Sequence, residues 1–154
     1  MQKMPIVVSI TSLPIMREKM KVPSDIKVYG DMEFRGKCPS ETLEQVTFFA
    51  RLRRLHPKYG AVALHPRNEG KRTHLQAAKE KSEGMTTGAT DIIIPSNPSF
   101  VCELKRRDHT VSTLGQAQVT YMRAAQDTGC FVCLALGANA AWQAFEEWLD
   151  AKAE

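Results

Sequence analysis

No apolar run in this chain is long enough to cross a bilayer, which takes roughly 20 consecutive residues. The reading is therefore of a protein with no membrane role. The first apolar stretch, Met4 to Val8, is broken at once by Ser9, Thr11 and Ser12, too soon for a secretory leader. A cytoplasmic location is expected. Cysteine is scarce, with four residues at 38, 102, 130 and 133. Cys130 and Cys133 form the one C-x-x-C, and no second pair completes a tetrahedral zinc site. An offset of three within a strand sends the two thiols to opposite faces, so they read as reduced core thiols. Internal repeats and low-complexity segments are absent too. The charge surplus is small, +4, which permits nucleic-acid binding without requiring it.

What is present suits one soluble domain: 154 residues, 43% hydrophobic and 25% charged. The cations gather in three groups: Arg51, Arg53 and Arg54; Arg67, Lys71 and Arg72; Lys105, Arg106 and Arg107. One such run is usually a solvated face, but three near one site favour phosphate contacts.

Along the chain, residues 1–38 lack sustained periodicity, with short strands possible at Ile6 to Ile10 and at Lys27-Val28-Tyr29. They are read as an N-terminal extension preceding a domain at 39–154. Ser40 caps a helix in which Gln45, Phe48, Leu52 and Leu55 recur at helical spacing beside Phe49. Glu41 faces inward on that stripe, and Glu44 turns toward Arg51. Pro57 and Gly60 end the helix, and Ala61 to His65 reads as a short strand. A polar connection leads to a short helix over 73–83. A further helix, capped by Ser112 or Thr113, carries Leu114, Gln118, Tyr121, Met122 and Ala125, with Gly129 as its C-cap. Phe131 to Leu136 is a buried strand. Asn139 caps a last helix whose Trp142, Phe145, Trp148 and Leu149 belong to the core. The fold class is α/β or α+β, one central mixed sheet with flanking helices. His65 and His109 read as structural.

The stretch that carries chemistry is 91–105. Two apolar runs, Ile92-Ile93-Ile94 and Phe100-Val101-Cys102, flank a Pro-Ser-Asn cluster, the pattern of a β-hairpin. With Ile94 opposite Phe100, Ile92 meets Cys102 and Asp91 meets Glu103. Directly opposed residues share a face, roughly 4.5–5.5 Å apart at Cβ, and Lys105 joins them by the period of two. Two carboxylates and an ammonium on a partly apolar face cost free energy unless paired or bound to a metal. Hard oxygen ligands of this kind suit magnesium.

Asp91 followed by Glu103-Leu104-Lys105, on this order of elements, resembles the PD-(D/E)XK nuclease superfamily and, within it, the VRR-NUC family. The resemblance runs from about Glu41 to Leu149. It includes Gln45, Asn68-Glu69-Gly70-Lys71-Arg72, Gly84 and Gly88 before Asp91, and Gln118 with Tyr121 ahead of Gly129. Thr90 stands where the superfamily has Pro. The resemblance implies a restriction-endonuclease-like αβββαβ core. It also implies a Mg2+ site, with Mn2+ able to substitute, on Asp91, Glu103 and the Leu104 carbonyl, with Glu41 a ligand directly or through water. Lys105 would position or activate the attacking water, and Gln118 would orient the site. Arg67, Asn68, Lys71, Arg72, Arg106 and Arg107 are candidate DNA contacts, positioning the backbone without reading bases. Stand-alone relatives look like homodimers that cut branched DNA such as four-way junctions. The rival expectation is a nuclease-like fold that binds nucleic acid or protein without cutting.

Overall fold

The computed structural model describes residues 20–67 and 72–153. Its sheet has four strands: β1 (Lys27–Tyr29), β2 (Ile92–Ile94), β3 (Phe100–Lys105) and β4 (Phe131–Leu136), in the order β1-β4-β3-β2. β2 and β3 pair antiparallel, while β3 with β4 and β1 with β4 are parallel. The sheet is thus mixed, with helices against both faces, and the expected fold class holds. The helices are α1 (Glu41–Leu55), the single turn α2 (Pro57–Gly60), α3 (His74–Ser82), α4 (Gln116–Asp127) and α5 (Ala138–Ala153).

Alternation along β3 and β4 decides what each face meets. Phe100, Cys102 and Leu104, with Cys133 and Ala135, point into a core shared with Phe48 and Leu52 of α1 and with Phe145 and Trp148 of α5. Val101, Val132, Leu134 and Leu136 face the other way, toward Met122 of α4 and toward Met20 and Ile26. Cys133 and Cys130 fall in these two different clusters, and all four cysteines are free thiols. Glu103 and Lys105 continue the Val101 face by the period of two. The hairpin therefore turns its charged end toward α4, while its apolar residues hold it to α1 and α5.

Several local expectations are corrected. Ala61–His65 is not a strand but a single bridge between Leu64 and Ile93. The amides of Ala61, Val62 and Ala63 are still bonded back to Pro57 and Tyr59, so only Leu64 is free to pair. α4 starts later than Ser112 or Thr113, at Gln116, and the Gln118 side chain accepts the Gly115 N–H at 2.8 Å. The Ser112 hydroxyl is engaged elsewhere: it accepts the Arg106 amide and donates to Glu41. Glu44 does not turn toward Arg51. It is buried, and its Oε2 accepts the Ala138 amide, so the start of α5 is capped from α1 and not by Asn139. A carboxylate there satisfies an orphan donor and opposes the helix dipole. Leu55, expected on the inner stripe, is 48% exposed.

The Ser40 cap of α1 is as expected, its hydroxyl accepting the Leu43 amide. So are α3, the inward Trp142 and Trp148, and Gly129 with φ +91° just past α4. The strand proposed at Ile6 to Ile10 lies outside the described residues. Lys27–Tyr29 is a strand, and it forms an edge of the central sheet beside β4. The segment read as an extension thus contributes to the same sheet as the hairpin.

Candidate active site

The hairpin register is the expected one: Ile94 opposite Phe100, Ile93 opposite Val101 and Ile92 opposite Cys102. Asp91 immediately precedes β2, half-buried, and its Oδ2 accepts the Leu104 N–H at 2.9 Å. Glu103 is 2% exposed and Lys105 3% exposed. Glu103 Oε1 accepts from Gln118 Nε2 at 2.7 Å and lies 3.4 Å from Lys105 Nζ. Lys105 Nζ is also 3.4 Å from Gln118 Oε1. Asp91, Glu103, Lys105 and Gln118 therefore come together between the end of the hairpin and the first turn of α4.

The electrostatics follow from burial. Removal from water pushes the Glu103 carboxyl up to about 8, and the neighbouring Asp91 charge pushes the same way against the pull of Lys105. Burial also raises Asp91, opposed by the Leu104 N–H and the Lys105 charge. Two carboxyl groups share one ammonium, and without a metal Glu103 favours its neutral form at neutral pH. Glu103 Oε2 is buried and has no hydrogen-bond partner. A buried carboxylate oxygen left without a donor is costly, and this one adjoins Asp91. These are the oxygens that could take a hard cation.

Glu41 stands at the margin. Its Oε1 accepts the Ser112 hydroxyl at 2.9 Å, and its charge still reaches Asp91 and raises it. Among the described residues, no group of three His, Cys, Asp or Glu side chains gathers as a metal cage. Asp91 and Glu103 are the carboxylate pair, and Glu41 would join through water.

The expected DNA contacts separate into several kinds. Arg67 is exposed beside a cleft of about 330 Å³ lined by Gly84, Met85, Ile93 and Tyr121. Arg72 is engaged with Glu80 at 2.5 Å and with Met85 Sδ at 2.7 Å. Arg106 is engaged with the carbonyls of Cys38 and Pro39. Arg107 stacks on Phe34, 4.4 Å from guanidinium carbon to ring centroid. Asn68 and Lys71 lie outside the described residues.

His65 and His109 are structural, as read. His65 Nδ1 donates to the Asp91 carbonyl at 2.8 Å, which helps hold the approach to β2. His109 is fully buried, accepting the Met20 amide at Nδ1 and donating from Nε2 to the Met32 carbonyl.

Two positioning groups escaped sequence reasoning. Gly88, with φ +77°, packs so closely on α4 that a Cβ there would lie 2.3 Å from the Ala117 carbonyl oxygen. It thereby presses the helix turn that carries Gln118 against the site. Gly88 stood in the family resemblance ahead of Asp91, but its packing partner on α4 was not visible. Asp108 accepts the Gly36 amide and both the amide and hydroxyl of Thr110. The spacing Asp108-x-Thr110 is the one local signal that could have marked it, as the start of an Asx turn.

No protein-family model matches the sequence, and a comparison with curated proteins finds no match. Among solved structures, a VRR_NUC domain protein superposes with a TM-score of 0.60 at 18% identity. The match covers 76% of this chain and 92% of that one. The two share a fold.

Proposed function

We propose that this chain is a metal-dependent deoxyribonuclease that hydrolyses phosphodiester bonds. The observation that carries the reading is the buried, unpartnered Glu103 Oε2 beside Asp91, with Lys105 and Gln118 within hydrogen-bonding range on one side. The shared fold with a VRR_NUC domain protein supports it. A site built for stability alone would not bury two carboxyl groups against each other.

Asp91 and Glu103 would hold Mg2+, or Mn2+ in its place, with the Leu104 carbonyl and, through water, Glu41. Bound there, the ion supplies charge neutralisation at the phosphoryl group and a more acidic water. The chain's own residues do the rest. Gln118 donates to Glu103 Oε1 and so aims Oε2 toward Asp91. The Leu104 amide fixes Asp91 through Oδ2. Lys105 brings its ammonium to the developing charge on the phosphate, where a fixed cation in a buried site is most effective. It is also placed to orient the attacking water. Branched DNA, such as a four-way junction, is the proposed substrate, and a homodimer with two-fold symmetry would supply paired incisions.

The test is cleavage of linear duplex, single-stranded, flap and four-way-junction DNA in Mg2+ and in EDTA, with oligomeric state measured by light scattering. Cutting should require the metal, and Asp91→Ala should lower it by roughly 10²–10³-fold or more, the scale of losing one charge-stabilising group, with an unchanged circular dichroism spectrum. Binding without cutting in either Mg2+ or Mn2+ would overturn the enzyme in favour of a binding module.

A further inference from the structure

The loop after β3 does more than leave the active site. Arg107 follows Lys105 by two residues, so the two Cα atoms are at most about 7 Å apart. Its methylene stem lies against Gly137, where a Cβ would come within 2.6 Å of Arg107 Cγ. Its guanidinium lies over the Phe34 ring. Among the described residues no hydrogen bond or ion pair takes up its N–H groups. Arg107 lines a cleft of about 250 Å³ together with Gly30, Asp31, Phe34, Asn139 and Gln143. The cleft sits past the carboxyl ends of the parallel strands β1 and β4, the edge where open α/β sheets place ligands. It is smaller than the roughly 300–1,000 Å³ of sites that enclose a drug-sized molecule, and a single heterocycle suits it.

The walls are held in place. Phe34 donates its amide to the Asp31 carbonyl, and Arg35 bonds the carbonyls of Met32 and Phe34. Asp108 and His109, the two residues after Arg107, bind Gly36 and Met32. The stacked arginine and the loop beneath it are therefore set in advance of any ligand, which lowers the ordering cost of binding.

The chemistry of the lining selects the ligand. A phosphate would meet the Asp31 carboxylate in the same cleft and be repelled. A nucleobase would not, because its edge carries donors as well as acceptors. A guanidinium laid on an aromatic ring keeps its in-plane N–H fork for hydrogen bonding. Guanine presents N7 and O6 as adjacent acceptors, the pair that arginine forks onto, and N–H donors further along its edge for a carboxylate. Adenine would set its N6–H donors against the guanidinium. The Asn139 and Gln143 amides, one helical turn apart on α5, supply either polarity.

We infer that this cleft binds an unpaired guanine of the nucleic-acid strand, its edge read by Arg107 and Asp31. The inference rests on the nuclease reading only in taking that strand to be the substrate. The base must be unpaired because Asp31 would use the edge that pairing occupies. The site would then hold a base a few nucleotide steps from the bond to be cut, at ~3.4 Å of rise per stacked step.

The experiment is fluorescence anisotropy in EDTA with labelled thymine oligonucleotides that carry one central guanine, one central adenine, or neither. The guanine strand should bind at least about tenfold tighter than the others. Arg107→Lys, which keeps charge and stem but loses the planar fork, and Asp31→Asn should each erase that preference. Wild-type amide resonances of Phe34 and Asn139 should shift with guanosine monophosphate and not with inorganic phosphate, a measurement independent of any variant's folding. Equal binding of all three strands, a preference that survives Arg107→Lys, or equal shifts with inorganic phosphate would overturn the inference. Metal-dependent cutting without guanine preference removes this inference alone. Guanine preference without cutting removes the nuclease reading alone.

Discussion

Glu103 is protonated or charged at a cost the protein sets by burial. Its carboxyl is pushed up to about 8 from an ordinary 4.5, so the metal-free fold favours the neutral form. The associated stability is fully present below about pH 4.5 and is lost as pH climbs through about 8. The decline should be no steeper than about 1.4 kcal/mol per pH unit, the slope of one proton. Denaturant unfolding of the metal-free protein at a series of pH values will show it. Added Mg2+ binds the charged form and should stabilise most above pH 8 and least near pH 5, and a metal effect independent of pH would count against Glu103 as a ligand. The opposition of Asp91 and Glu103 was legible by counting across the turn, because side-chain alternation in a strand is strict. Glu44 was not legible. It shares the spacing of Phe48 and Leu52, and a glutamate on an apolar stripe is normally placed outward. Only the tertiary demand for a cap on α5 turns it in.

At the scale of elements, the site depends on two helix starts. α5 begins on a carboxylate lent by α1, so Glu44→Ala should cost about 0.5–2 kcal/mol, the range for losing a cap, read as a lower denaturant midpoint. α4 begins under Gly88. Gly88→Ala would place a methyl against the Ala117 carbonyl at a φ that alanine avoids. The helix must give way, at a cost of about 1–3 kcal/mol, and Gln118 should move off Glu103. Metal-dependent cleavage should fall at least tenfold, while simple exposure of a surface glycine would leave it unchanged. Helix α1 was readable from its serine cap, whereas α3 was expected over 73–83 without the Thr73 cap that the structure shows. The strand expected at Ala61–His65 failed because its β propensity said nothing about the helical turn just before it, which still claims three of its amides.

At the scale of the molecule, four consecutive residues after β3 bind the segment that precedes α1. Arg106 takes the carbonyls of Cys38 and Pro39, Arg107 stacks on Phe34, Asp108 accepts Gly36, and His109 holds Met20 and Met32. His109→Ala should therefore release a distant region. Hydrogen exchange should accelerate across residues 20–36 before it changes in β3, and protection that fell only around residue 109 would contradict the coupling. The central sheet and its flanking helices could be read from the hairpin and the family resemblance. The contribution of residues 20–38 could not. A three-residue strand has almost no periodicity, and its partner is remote in sequence.

That remoteness has a consequence for biosynthesis. Lys27 is neighbour to Cys133 and Tyr29 to Ala135, so the strand made early finds its partner only when β4 emerges. At about 5–20 residues per second the ribosome needs roughly 5–20 s to cross that interval. Throughout it the edge of β1 is unpaired and Met20, Ile26 and Tyr29 have no core to enter. Closure of so long a loop is also a slow, entropically demanding event. The nascent chain should be most vulnerable to proteases and to chaperone capture in the window before Phe131–Leu136 leaves the exit tunnel.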